Sequence, residues 1–168
     1  MKQVQYITEL FDRYDGKTLD SYLQLGGFNA LKKLLQDGYE SILTEIDASG
    51  LQGRGGAAYP TGRKLKQARQ AQGVRKFVVC NADEGEPGTF KDRELLKRNI
   101  YQVIEGMVIA GIISEAREGI IYVREEYTNI HDDIKAAIAE CYENDYLGKS
   151  VLGSPFQFEL RLFSGAGA

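Results

Sequence analysis

Three carboxylates, Asp83, Glu84 and Glu86, fall within four residues of the stretch NADEGEPGTFKDRE, close behind the amide of Asn81. Asn81 both donates and accepts hydrogen bonds. Such a loop suits neutral polar groups: sugar hydroxyls, the edge of a heterocycle or a carboxamide. No histidine is near, so a metal held there would be magnesium or calcium. The same residues also suit an Asx-type turn with a cluster that caps the next helix. A second stretch, GLQGRGGAAYPTGRKLKQAR, holds five glycines and five basic residues. From Ala48 to Ala82 there is no acid, while Arg54, Arg63, Lys64, Lys66, Arg69, Arg75 and Lys76 are all cationic. Glycine lets backbone approach a ligand, and successive free N–H groups form an anion-binding nest. The alternative is a flexible loop beside a solvated basic helix. Gly53-x-Gly55-x-x-Ala58 fits the dinucleotide fingerprint only in spacing. No strand precedes it, and no acid follows about 20 residues on. No GxxxxGK[ST] spacing occurs. A basic glycine loop for phosphate and an acidic amide loop for sugar and base together suit one nucleotide-like ligand.

The elements that must position these loops read as follows. Phe28, Leu31, Leu34 and Leu35 share one helical face, stopped by Gly38, and YESILTEID continues helically. Arg63 to Gln72 is a helix capped by Thr61 and ended by Gly73. RKFVVC is a buried strand that delivers the acidic loop at its carboxyl end, where α/β folds bind ligands. Asp92 to Ala116 is one helix and GIIYVRE a strand. Asn129 to Glu143 is a helix capped by Thr128 or Asn129. FQFELRLF is a half-buried strand with Phe156, Phe158, Leu160 and Leu162 on one side. This alternation predicts right-handed βαβ units in an α/β fold. The chain divides into a helical, accessory segment 1–48 and an α/β domain 49–168.

The bulk numbers exclude several classes. With 168 residues, 43% hydrophobic and 27% charged, the chain has the material for one ordinary core. A net charge of −3 argues against a dedicated nucleic-acid binder. The most apolar run, Ile100 to Ile113, carries Gln102 and Glu105 and falls short of the roughly 20 residues of a membrane span, so no direct membrane insertion is expected. No signal peptide is legible at the N-terminus, and a cytoplasmic location is expected. Two cysteines, Cys80 and Cys141, and the single His131 do not complete a zinc or iron–sulfur site, so no metal ligand is assigned. Both cysteines read as core, and His131 as a surface residue.

GLQGRGGAAYPTGRK and NADEGEPGTFKDRELL resemble the signatures of the FMN-binding, NADH-oxidising (51 kDa-type) flavoprotein subunit of respiratory complex I. The family includes subunits of NAD-linked hydrogenases, formate dehydrogenases and electron-bifurcating enzymes. EGMVIAG, IYVREEY and FSGAGA resemble it too, in the same order. A NADH-oxidising ferredoxin pump subunit shares the glycine loop but lacks a close copy of the acidic one. The resemblance implies a Rossmann-like FMN-binding domain and the N-terminal portion of an NADH dehydrogenase subunit. FMN would lie near Gly53, Arg54, Gly55, Gly56, Lys64, Asn81, Asp83 and Glu84, with Tyr59 against the dinucleotide and Glu86 near the nicotinamide. Hydride would pass from nicotinamide to flavin, and single electrons onward to iron–sulfur partner subunits of the 24 kDa type and other redox subunits. Hydride transfer requires no side-chain base, so no catalytic residue is assigned.

Three departures accompany the resemblance. Ala58 and Tyr59 stand where the family usually has glycine and phenylalanine, and no aromatic follows between Leu65 and Ala68. The GEE-type loop that finishes the flavin site, a ubiquitin-like domain and a helical domain with [4Fe–4S] cysteines are absent. The isolated chain is therefore expected to be inactive and to hold FMN weakly or not at all. A non-catalytic fragment, a split-subunit nucleotide-binding module and an unrelated nucleotide-phosphate binder are the alternative readings.

Overall fold

The computed structural model describes residues 6–73 and 75–165. Helices α1 (Leu19–Gln24), α2 (Asn29–Asp37), α3 (Tyr39–Ser49) and α4 (Thr61–Gln70) precede β1 (Phe77–Ala82). Then come α5 (Lys91–Arg98), α6 (Ile100–Ser114), β2 (Glu118–Arg124), α7 (Thr128–Glu143) and β3 (Glu159–Gly165). The strands form a parallel sheet in the order β1-β2-β3, with Cys80 opposite Ile121 and Ile121 opposite Leu162. This is the expected βαβ arrangement. Residues Ala166–Ala168 of the FSGAGA stretch lie outside the described residues. Among the described residues, no helix is long and apolar enough to cross a membrane.

The strand order runs one way without reversing. Both crossovers therefore lay their helices on one face of the sheet: α6 packs on β1 and β2, α7 on β3, and the two helices touch each other. Helix α6 has α2, α3 and α4 on its outer side, so it is apolar nearly all round. Ile100, Tyr101, Ile104, Val108 and Ile113 are buried. The Phe158 ring wedges between α6 and the sheet. A Cβ on Gly111 would lie 2.4 Å from that ring and one on Gly119 2.7 Å, so glycine is required at both.

Among the described residues, no element covers the other face of the sheet. Phe77, Val79 and Phe163 are 43%, 57% and 53% exposed, and the Phe163 ring stacks on Tyr122 at 5.6 Å. β1 is therefore not the buried strand expected from RKFVVC. Its residues alternate, with Val78, Cys80 and Ala82 facing the core. A run of apolar residues reports hydrophobicity but not how many faces are covered.

Other expectations also need correction. The helix expected from Asp92 to Ala116 is two helices, broken at Asn99. The Asn99 side chain is buried and accepts a 2.7 Å hydrogen bond from the Tyr14 hydroxyl. The last strand starts at Glu159, not Phe156, and α4 ends at Gln70. Thr61 does not cap α4, and neither Thr128 nor Asn129 caps α7. The cap positions are Pro60 and Tyr127, without a side-chain hydrogen bond.

Remote carboxylates do the capping instead. Glu105 of α6 is buried. It accepts hydrogen bonds from the backbone N–H of Phe28 at 2.8 Å and of Leu31 at 3.1 Å, and from the Tyr22 hydroxyl at 2.6 Å. These are N–H groups of the first turn of α2, which have no intrahelical partner. Phe28 itself is left-handed, φ 59°. Glu140 of α7 accepts from the N–H of Leu19, at the start of α1, at 3.0 Å and from the Tyr101 hydroxyl. The N-terminal helices are thus tied into the main core, and Leu19, Tyr22, Phe28 and Leu31 belong to it.

Cys141 is buried, as expected, while Cys80 is only half-buried. Burial, with a smaller effect of the Glu140 charge, pushes the Cys141 thiol up to about 12. Burial and Asp92 push Cys80 up to about 11.

Two outcomes are expected. Glu105→Gln presents an amide N–H₂ to donors and loses the charge, so it should cost about 2–3 kcal/mol in urea unfolding. A raised thiol pKa keeps the unreactive protonated form in place at mildly alkaline pH. At about pH 8, pulsed alkylation of the native chain should therefore spare Cys141 and modify Cys80 slowly, while the urea-unfolded chain reacts at both.

Candidate functional site

The acidic loop leaves the carboxyl end of β1. Asn81 Oδ1 accepts the Asp83 N–H at 3.2 Å, the Asx-type turn that the residue types allow. Glu84 then turns inward. Its carboxylate is buried and accepts from the N–H of Asp92 at 3.0 Å and of Arg93 at 3.4 Å, which caps α5. The Tyr127 hydroxyl donates to it at 3.3 Å, and Lys91 stands 3.9 Å away. Glu84 therefore holds the loop in place by its side chain. Pro87 and Gly88, the latter at φ 82°, close a turn in which the Glu86 carbonyl accepts from Thr89 N–H and hydroxyl. Glu86 and Asn81 are exposed.

Asp83 differs from its neighbours. Its Oδ1 atom is buried and has no hydrogen-bond donor among the described residues. The nearest cation is the Arg124 Nε at 3.8 Å, beyond hydrogen-bonding distance. Buried acceptors in folded proteins are nearly always paired, so an open one marks a place where a ligand donor fits.

The glycine loop is a protruding hairpin tip. Gln52 bridges Pro60, Gly53 N–H donates to Tyr59 C=O at 2.9 Å, and Thr61 N–H donates to Leu51 C=O at 2.9 Å. Between these ties, the backbone N–H groups of Arg54, Gly55, Gly56, Ala57, Ala58 and Tyr59 make no hydrogen bond among the described residues. Gly56 has φ 103° and open space where a Cβ would stand. Ala58 is also left-handed, φ 48°, a conformation that costs a non-glycine residue about 1 kcal/mol. Tyr59 leans back on α4. Its hydroxyl donates to Gln67 at 2.7 Å, and Arg63 lies 5.7 Å from its ring centre.

The seven-cation run is not uniformly free. Arg69 and Lys76 pair with Glu115 at 3.0 and 3.6 Å, and Arg75 pairs with Glu118. Arg69 also donates to the Ile112 and Ile113 carbonyls at the end of α6. These three cations serve tertiary structure. Arg54, Arg63, Lys64 and Lys66 have no ion-pair partner among the described residues, and all four are exposed. The free charge is thus concentrated in the glycine loop and the first turns of α4, whose N-terminus adds its own positive potential.

Asn81, Asp83, Glu84 and Glu86 form one loop. Gly53, Arg54, Gly55, Gly56, Tyr59 and Lys64 form another with the start of α4. Among the described residues, no hydrogen bond or ion pair joins the two. A hollow of about 1000 Å³ lies at the amino ends of the strands, lined by Arg69, Arg75, Glu115, Arg117 and Phe156 among others. It includes none of these site residues. Sequence reasoning assigned no role to Arg124 and Tyr127, which reach the acidic loop from the end of β2 and the turn after it. Their place just past a strand's carboxyl end was the available signal.

The family described as the Nuo51 FMN-binding domain matches residues 46–167. The chain belongs to that family. It is 46% identical over 151 residues to the F subunit of the NADH-quinone oxidoreductase of Aquifex aeolicus, covering 90% of this chain and 35% of the relative. It is 45% identical over 130 residues to the alpha subunit of the NAD-reducing hydrogenase HoxS of Cupriavidus necator, covering 77% and 22%. An NAD⁺-reducing [NiFe]-hydrogenase in its H₂-reduced state superposes with a TM-score of 0.66 at 37% identity, covering 77% of this chain and 22% of that one. The chain spans about a third of the length of the Aquifex relative. The Nuo51 FMN-binding domain match spans both loops. Among the described residues these loops hold a row of N–H groups without acceptors, four cations without ion-pair partners and a buried carboxylate oxygen without a donor.

Relief of the strained alanine is measurable. Ala58→Gly should stabilise the chain by up to about 1 kcal/mol, offset in part by the freer unfolded chain, whereas Ala58→Val should destabilise it. Urea midpoints of the two variants should move in opposite directions.

Proposed function

We propose that this chain is the FMN- and NADH-binding portion of an NADH-oxidising flavoprotein subunit. What carries the reading is the open Asp83 Oδ1 at the carboxyl end of β1, within a segment of the Nuo51 FMN-binding domain family. The Arg54–Tyr59 N–H groups, with Arg54 and Lys64, would receive the phosphate. Asn81 and Asp83 would receive donors and acceptors of the flavin and ribityl groups. Glu84 would hold Asp83 and Asn81 in register through the α5 cap. Glu86, exposed and with no partner at its carboxylate among the described residues, would face the nicotinamide side, and Tyr59 would offer one ring face to the dinucleotide. Bound FMN would supply a hydride acceptor that returns electrons one at a time. The protein groups bind and orient, and none is asked to move a proton.

The electrons would pass to iron–sulfur subunits, as the multi-subunit character of the relatives supports. A [4Fe–4S] cluster is proposed only for polypeptide of the kind that makes up the rest of those relatives. The division into a helical segment 1–48 and a nucleotide-binding domain 49–168 is proposed as a functional one, since the N-terminal helices carry no site residue. The two unpaired cysteines support a reducing compartment such as the cytoplasm.

The chain by itself is proposed to bind FMN weakly and to be inactive. Amide NMR titration with FMN should shift the signals of both Arg54–Tyr59 and Asn81–Glu86 at millimolar ligand. A flavin absorbance band that survives gel filtration would contradict the weak binding. Shifts confined to the glycine loop, equal with ATP and FMN, would replace the flavin reading with a general phosphate binder.

A further inference from the structure

We propose that Arg124 is a positioning residue: it clamps the acidic loop so that the buried Oδ1 atom of Asp83 stays in place and open to a donor on the ligand. The inference rests on the flavin reading above and adds a residue to it.

Arg124 closes β2, one residue beyond the Val123–Ala82 pair that ends the ladder with β1. Its guanidinium reaches across that ladder. Nη1 donates to the Glu84 carbonyl at 3.0 Å. Nε and Nη2 donate to the two carboxylate oxygens of Glu126 at 3.3 and 3.2 Å. At the other end of the residue, the Arg124 carbonyl accepts the Tyr127 N–H at 3.2 Å and stands 3.0 Å from His131 Nε2. Both the head and the root of the side chain are therefore fixed, unlike those of Arg54 in the glycine loop, which have no hydrogen bond among the described residues.

The 3.8 Å between Arg124 Nε and Asp83 Oδ1 is the informative distance. A direct hydrogen bond would occupy one lone pair of Asp83 Oδ1. With no cation there, nothing on this side would hold the carboxylate with Oδ1 turned inward rather than toward water. At 3.8 Å the guanidinium supplies attraction without occupying the lone pairs, because the Nε–H nearest Asp83 is already engaged by Glu126. Glu84 completes the arrangement from the other side, its carboxylate locked on α5 and Tyr127. The ligand group recognised there is an N–H or O–H donor of a neutral ring or sugar.

The test uses the 168-residue chain, its Arg124→Gln, Arg124→Lys and Asp83→Asn variants, and the Arg124→Gln/Asp83→Asn double variant. Hydrogen exchange is read at the Asp83, Asp92 and Arg93 amides, which donate within the loop and its cap, and at α6 amides as a measure of global stability. Arg124→Gln should speed exchange at the three loop amides about tenfold while α6 changes little. Arg124→Lys should restore part of the protection, since it keeps the charge but not the fork. In NMR titration, Arg124→Gln should weaken FMN binding about tenfold, and the double variant should bind no more weakly than Asp83→Asn alone. The proposal is overturned by unchanged loop exchange, by equal acceleration throughout α6, or by additive losses in the double variant. If the parent chain shows no FMN shifts at all, the flavin reading fails, and the clamp stands or falls on the exchange results.

Discussion

A carboxylate set outside a helix, buried at Glu84 and Glu105 and half-buried at Glu140, accepts N–H groups at the start of that helix, and this is the interaction on which the structure depends. It recurs at three helix starts. Glu105 receives the start of α2, Glu140 the start of α1 and Glu84 the start of α5. Among the described residues, none of the seven helices has a side-chain hydrogen bond from its own cap residue. Each such carboxylate would be costly if unpaired, and each helix start would hold orphan donors, so the two requirements meet in one contact. Because two of the contacts run between the N-terminal helices and α6 or α7, the helical segment and the sheet form one folding unit. Because the third fixes Glu84, the loop carrying Asn81 and Asp83 has its shape before any ligand arrives.

The second constraint is topological. Strands that add in one direction, β1 to β2 to β3, place every crossover helix on the same face. The opposite face of a parallel sheet is covered only when the order reverses. Phe77, Val79, Tyr122 and Phe163 stand on that uncovered face beside Asn81, and β1 remains an edge. In open α/β sheets ligands bind outside the carboxyl ends of the strands, and the acidic loop leaves the carboxyl end of β1.

Electrostatics divide the labour between the loops. Tertiary ion pairs to Glu115 and Glu118 absorb Arg69, Arg75 and Lys76, which leaves positive charge concentrated at Arg54, Arg63, Lys64 and Lys66. The glycine tip holds unspent donors and the acidic loop an unspent acceptor. The family match spans both.

Much was legible in the residues. The apolar run from Ile100 reads as a buried helix, and the spacing of turns and β-branched runs points to βαβ units. The two loops identified the family, because glycine, amide and carboxylate types at fixed offsets encode backbone approach and hydrogen-bond direction locally. What the sequence left open depends on partners distant along the chain. The break at Asn99 needs Tyr14, and the bare face of β1 needs the strand order. The helix caps come from Glu84, Glu105 and Glu140 rather than from Thr61 or Thr128. Local chemistry fixes what a segment can bind or bury. Which donors and acceptors remain unspent, as at Asp83 beneath Arg124, is decided only after folding has paired all the others.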